Sequence, residues 1–117
     1  MLGVAVFVVL LGAFLGDVAV YLRARATATV AADAAALAAA PLTFADFGSV
    51  SGPRVEAARF AAENGSVLVS CDCAVDPTWR PRTVRVVVSA RANLMLFGSR
   101  GVTAASRAEF DPTELPP

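Results

Sequence analysis

Residues 2–22 are apolar apart from Asp17 and the Tyr21 hydroxyl, and no other feature constrains the chain as tightly. Twenty-one residues at helical rise cover about 30 Å, the thickness of a bilayer's hydrocarbon core. A helix that is apolar on every side needs lipid or a large protein core around it. A chain of 117 residues has too little sequence left to build such a core. The run is expected to be a single transmembrane helix, with membrane lipid as its first partner. A cleaved secretory signal fits less well, because residues 1–11 carry no charged side chain and the run is longer than an ordinary h-region.

Residues 23–40 change solvent without changing conformation. They contain neither Gly nor Pro, and eleven of the eighteen are Ala, the best helix former. Pro41 removes a backbone donor and biases Ala40 away from the α region, so the helix is expected to stop there. The reading is a continuous rod of roughly 60 Å, with residues 1–22 in the membrane and 23–40 as an Ala-rich stalk. Residues 41–110 then form one small head, and 111–117 a flexible tail.

Along the rod, Gly12 and Gly16 make a GxxxG that Ala19 extends, the spacing that lets helix backbones approach closely in lipid. The i, i+4 row resumes outside as Ala24, Ala28, Ala32, Ala36 and Ala40, where abundant Ala makes such a ridge arise by composition alone. Asp17 is the costly residue, since a carboxylate is expensive inside a membrane segment. It either snorkels to the interface or meets a cation of a neighbouring subunit. Arg23 and Arg25 lie six and eight residues on, outside the i+3 or i+4 reach.

Composition excludes several chemistries. Net charge is zero, and the ten basic residues are all Arg and scattered, so the chain lacks a nucleic-acid footprint. It has neither His nor Lys, which removes Ser-His-Asp and Cys-His catalysis, His metal ligation and lysine Schiff bases. The expectation is a non-enzyme without cofactor, metal or small-molecule substrate. Arg23 and Arg25 directly after the span would, by the positive-inside rule alone, keep that side cytoplasmic.

The head reads as α+β. Residues 41–51 form a connecting loop whose Phe44 and Phe47 pack on head or stalk. Pro53 suits the first turn of a short helix capped by Ser51 or Gly52, with Val55, Ala58, Ala61 and Ala62 as its apolar face. Asn64-Gly65 ends it with a left-handed cap, which explains an Asn64-Gly65-Ser66 sequon without glycosylation. Residues 67–75 alternate, placing Val67, Val69, Cys71, Cys73 and Val75 on one face. Residues 83–92 form a second strand with Val84, Val86, Val88 and Ala90 inward. Residues 98–101 are read as a turn and 102–110 as a weaker third strand. A sheet this small needs a helix across its apolar face, either the short helix or the stalk. Trp79 reads as a lid on that core.

Cys71 and Cys73 tempt a chemical reading. At i and i+2 of a strand their Cα atoms lie about 6.5 Å apart, near the upper limit for a disulfide. They read as small apolar residues, buried or half-buried, or as a disulfide within or between subunits in an oxidising compartment; redox catalysis has less support.

The Ala31-Ala32-Asp33-Ala34-Ala35-Ala36-Leu37-Ala38-Ala39-Ala40 block after a membrane helix resembles the TadE/TadG-like proteins of Flp (tight adherence) pilus systems, in particular their small actinobacterial type. The short helix at 55–63, Asn64-Gly65 and the Cys-bearing strand at 67–71 continue that likeness, which covers about residues 3–110. Such relatives often carry Arg-containing residues ahead of the membrane helix. Here apolar sequence begins almost at once, pointing to a late-assigned start or a missing leader. They also often carry a Cys early in the short helix, which this chain lacks. The resemblance implies a pilin-like fold and a membrane-anchored minor pilin or pilus-assembly and secretion-associated protein, with its head outside the cell. Its partners would be other pilin-type helices, packed through Gly12, Gly16, Asp17 and Ala19 in the membrane and Asp33 and Leu37 on the stalk. The alternative function is a membrane-tethered extracellular binding domain whose helix is only an anchor.

Overall fold

The computed structural model describes residues 1–44 and 52–114, and their architecture is the expected α+β. One uninterrupted helix, α1 (Leu2–Ala39), of about 57 Å, makes up most of the long axis of the molecule, which measures 74 × 23 × 17 Å. Ala40 keeps helical dihedrals (φ −55°, ψ −52°), so Pro41 does not turn it out of the α region. Instead Pro41 opens a 3₁₀ turn, Pro41–Thr43, where its fixed φ and missing N–H are tolerated. The chain continues through α2 (Gly52–Glu63), β1 (Val67–Asp72), β2 (Arg82–Leu94) and β3 (Gly98–Phe110). The strands form an antiparallel sheet in the order β1-β2-β3.

The alternation of β2 holds as read. Val84, Val86, Val88, Ala90 and Ala92 are buried, and Arg85 and Arg91 point to solvent. Each buried Val contributes about 1.5–3 kcal/mol of hydrophobic stabilisation. The opposing layer is α1 itself. Ala28, Ala31, Ala32, Ala35, Ala36 and Ala39 are completely buried, and they form one core with Val84, Val86, Val88 and Ala108. The outer Ala row is therefore a packing surface for the chain's own head: methyl-sized side chains let a helix lie close on a sheet of Val.

Several details differ from the sequence reading. In β1, Leu68 faces Val88 and Ser70 faces Val87, so Val69 is an extra, bulged residue. The bulge shifts the alternation, putting Leu68 and Cys71 against the core and leaving Val67 and Val69 exposed. Val75, beyond the strand, is exposed as well. In α2 the buried face is Pro53, Ala57 and Ala61, an i, i+4 row, and Val55, Ala58 and Ala62 point outward. The β2–β3 turn is residues 95–97 rather than 98–101, and β3 begins at Gly98, giving two strands of thirteen residues paired from end to end. Part of the expected tail folds back as a 3₁₀ turn, Pro112–Glu114, with Pro112 buried. Phe47 and Ser51 lie outside the described residues.

The α2 terminus is a Schellman cap: Ser66 N–H donates to Ala61 O (2.9 Å) and Gly65 N–H to Ala62 O (3.1 Å). Gly65 has φ 79°, and a Cβ there would sit 3.2 Å from the Thr27 methyl of α1. The Asn64 side chain donates to Phe60 O and Ser66 is buried, so the sequon residues serve the cap.

At the far end, the Arg82 guanidinium donates to the carbonyls of Thr43, Asp76, Thr78 and Arg80, pinning the loop between β1 and β2. Asp76 accepts from the Thr78 hydroxyl (2.7 Å) and Thr78 N–H (2.9 Å), bonds that together with Arg82 and Arg80 hold its carboxyl below the usual range. Buried Phe44 meets Trp79 edge-on at 4.8 Å, as expected of a lid.

Candidate functional site

The candidate site is the place where α1 leaves the head. Up to Gly16 the helix is bare: Leu2, Val4, Phe7, Val9, Leu11 and Leu15 are all exposed, on every side of the rod. The first fully enclosed residue is Asp17, only 3% exposed. Its cover is the tip of the β2–β3 hairpin. Thirteen-residue strands extend about 40 Å, long enough to carry the tip down the helix past the rest of the head.

The two Asp17 carboxylate oxygens accept one backbone N–H each, from Met95 (2.6 Å) and Leu96 (2.8 Å). These are charge-assisted bonds, the stronger kind, made to donors that a tight turn leaves without ladder partners. Gly98, at φ 71°, supplies the left-handed residue that closes the three-residue connection. Asp17 thus has a partner in its own chain, in place of both the snorkelling and the neighbouring cation expected for it. Phe14, Asp17, Val18 and Tyr21 on the helix, with Leu94 and Phe97 on the hairpin, line an open groove of about 270 Å³.

The other residues singled out in the sequence separate from Asp17. At about 100° per residue, Gly12, Gly16 and Ala19 project roughly 100–160° away from it, on the side opposite the head. All three are exposed, and a Cβ on Gly12 or Gly16 would meet nothing within 4 Å. Val30 (57% exposed) and Leu37 (68% exposed) fall in the same sector of the stalk. Asp33 accepts a 2.5 Å hydrogen bond from the Ser106 hydroxyl of β3, so it ties the stalk to the sheet. Cys71 and Cys73 form a disulfide. The chain leaves the ladder after Asp72, which contracts their Cα separation to 5.3 Å from the strand value.

The sequence reading missed the tip. Met95, Leu96 and Phe97 are 83%, 44% and 53% exposed. An apolar run closed by a glycine between two alternating strands was the available signal. A second groove, polar and at the opposite end of the sheet, is lined by Arg82, Glu109, Asp111 and Glu114, with the Arg82 guanidinium already engaged by carbonyls.

Comparison with known proteins returned no matching family model, no matching curated protein and no matching solved structure. The structure is a single long apolar N-terminal helix, compatible with a single-pass membrane anchor or a signal sequence, carrying a small α+β head.

Proposed function

We propose that the chain is a membrane-anchored, TadE-like minor pilin or pilus-assembly protein that acts by helix packing rather than by chemistry. The observation that carries this reading is the two-sidedness of α1. One face is consumed by the head, and the opposite face presents Gly12, Gly16, Ala19 and Leu37, with the glycines open to close approach. That is the layout required of a subunit whose rods bundle centrally while the heads sit outside. The Cys71–Cys73 disulfide supports a head in an oxidising compartment, outside the cell membrane. Asp17 and Asp33 belong to the head's own attachment, so the bundling surface is the remainder of the set.

The test is the double substitution Gly12→Leu and Gly16→Leu in cells that make the pilus. The head should remain folded, while co-purification with pilin-type subunits and surface display of the fibre are lost. Unchanged assembly would refute bundling through this face, and a tethered binding domain would then be the better reading.

A further inference from the structure

The tip of the β2–β3 hairpin exposes three consecutive large apolar side chains, Met95, Leu96 and Phe97, at the one place where the head reaches the apolar half of α1. We infer that this tip is a second membrane contact: a wedge seated in the acyl–headgroup boundary of the bilayer that α1 spans. The inference rests on the membrane-anchor reading and adds a lipid-binding surface on the head.

Three observations carry it. The first is depth. If residues 2–22 fill the hydrocarbon, Asp17 lies five residues from the outer end, roughly 7 Å inside it at helical rise. Its carboxylate holds the amides of Met95 and Leu96, so the tip lies at that level. Amphipathic segments at membrane surfaces enter by about 5–10 Å.

The second is backbone satisfaction. A non-helical turn is tolerated at membrane depth only where its polar groups find partners inside the protein. Two of the three turn amides, those of Met95 and Leu96, are taken by one carboxylate, and the same bonds supply the partner that a carboxylate at this depth needs. Each group removes the other's desolvation penalty, and that penalty is largest at membrane depth.

The third is continuity. The groove between Phe14, Val18 and Tyr21 of α1 and Leu94 and Phe97 of the hairpin is walled by apolar side chains and opens from the bare helix surface, a shape suited to an acyl chain. Above it the character changes to cationic. Arg23 and Arg91 line a neighbouring groove, and exposed Arg100 donates to the Phe97 carbonyl. Apolar wedge below and arginines above is the order a lipid surface presents, acyl chains first and phosphates next.

The test uses the full chain reconstituted in vesicles of phosphatidylcholine and phosphatidylglycerol that carry bromines at known acyl depths. Trp79→Phe removes the native fluorophore, and single tryptophans are then introduced as Met95→Trp at the tip, Val8→Trp in mid-helix and Thr103→Trp on the outer sheet face. The Met95→Trp probe should lose fluorescence to bromines near the headgroup more than to those at the chain ends. The Val8→Trp probe should lose it most to deep bromines, and Thr103→Trp to neither. Quenching of Val8→Trp without quenching of Met95→Trp would leave the anchor standing and overturn the wedge. The wedge is equally overturned if Met95→Trp is shielded from both lipid bromines and aqueous acrylamide, because a second protein copy would then be its cover. Absence of quenching at Val8→Trp would reject the anchor itself. Leu96→Trp repeats the measurement should Met95→Trp disturb the turn.

Discussion

The two halves of α1 share one backbone and differ in everything else. Up to Leu11 the rod carries Leu, Val and Phe around its circumference with every side chain exposed, and only Ala13 and Phe14 begin to meet the hairpin before Asp17. From Ala24 to Ala40 one face is reduced to methyl groups, and a sheet of Val lies on it. Bulk is thus inversely related to burial along this helix. Large side chains stand where lipid would surround them, and small ones where another element of the same protein must come close. Asp17 marks the boundary. It is the first residue the head covers, and it fastens the hairpin tip to the rod.

The most damaging way to blur that boundary is Asp17→Ala. It removes the charge-assisted bonds to the amides of Met95 and Leu96, and a hydrogen bond to a charged group is worth about 1.5–3 kcal/mol. Denaturant unfolding of the full chain in micelles should show a loss of that order summed over the two. Hydrogen exchange at the two amides should accelerate sharply. An unchanged midpoint would mean that the tip is not held by the carboxylate.

Ala35→Leu attacks the other half. Ala35 is fully buried among the core Val residues, and overpacking of this kind costs about 1–3 kcal/mol. The matched change in the bare half, Val8→Ala, should leave head stability unaltered. Equal effects at the two positions would erase the distinction between the halves.

The smallest effect lies at the far end of the head, away from both halves. The Asp76 carboxyl is held below its ordinary value first by the Thr78 hydroxyl, then by Thr78 N–H, with Arg82 and Arg80 adding to it. A depressed folded value means the contribution is present above the unfolded Asp value and lost as pH falls through the folded one. NMR titration should therefore find Asp76 protonating at lower pH than an ordinary Asp, and Thr78→Ala should raise its midpoint. An ordinary midpoint in the unsubstituted chain would remove this link from the loop.

Much of this organisation is legible in the residues. The unbroken helix follows from the absence of Gly and Pro in the stalk, and the inner face of β2 from strict alternation. The Ala row at spacing four is visible too, although composition hides which side it serves until the sheet is laid on it. What escapes is long-range or a matter of register. Asp17 finds its donors 78 and 79 residues away, which helical spacing cannot show. The single-residue bulge at Val69 turns Leu68 inward in place of Val67 and Val69 while Cys71 stays on the core, because alternation has a period of two and the bulge breaks it. In α2 the expected face of Val55, Ala58, Ala61 and Ala62 keeps only Ala61, because the close approach to an Ala-faced helix selects the small Ala57 and Ala61.

The central claim is that the outer half of α1 is the head's core rather than a handle on which a finished head is mounted. Thermal unfolding of two shortened chains, residues 17–117 and residues 41–117, followed by near-ultraviolet circular dichroism, tests it most directly. The longer chain keeps Asp17 and the whole Ala face and should melt cooperatively, while the shorter one should show neither fixed aromatic signal nor a transition. A cooperative melt from residues 41–117 alone would contradict the account.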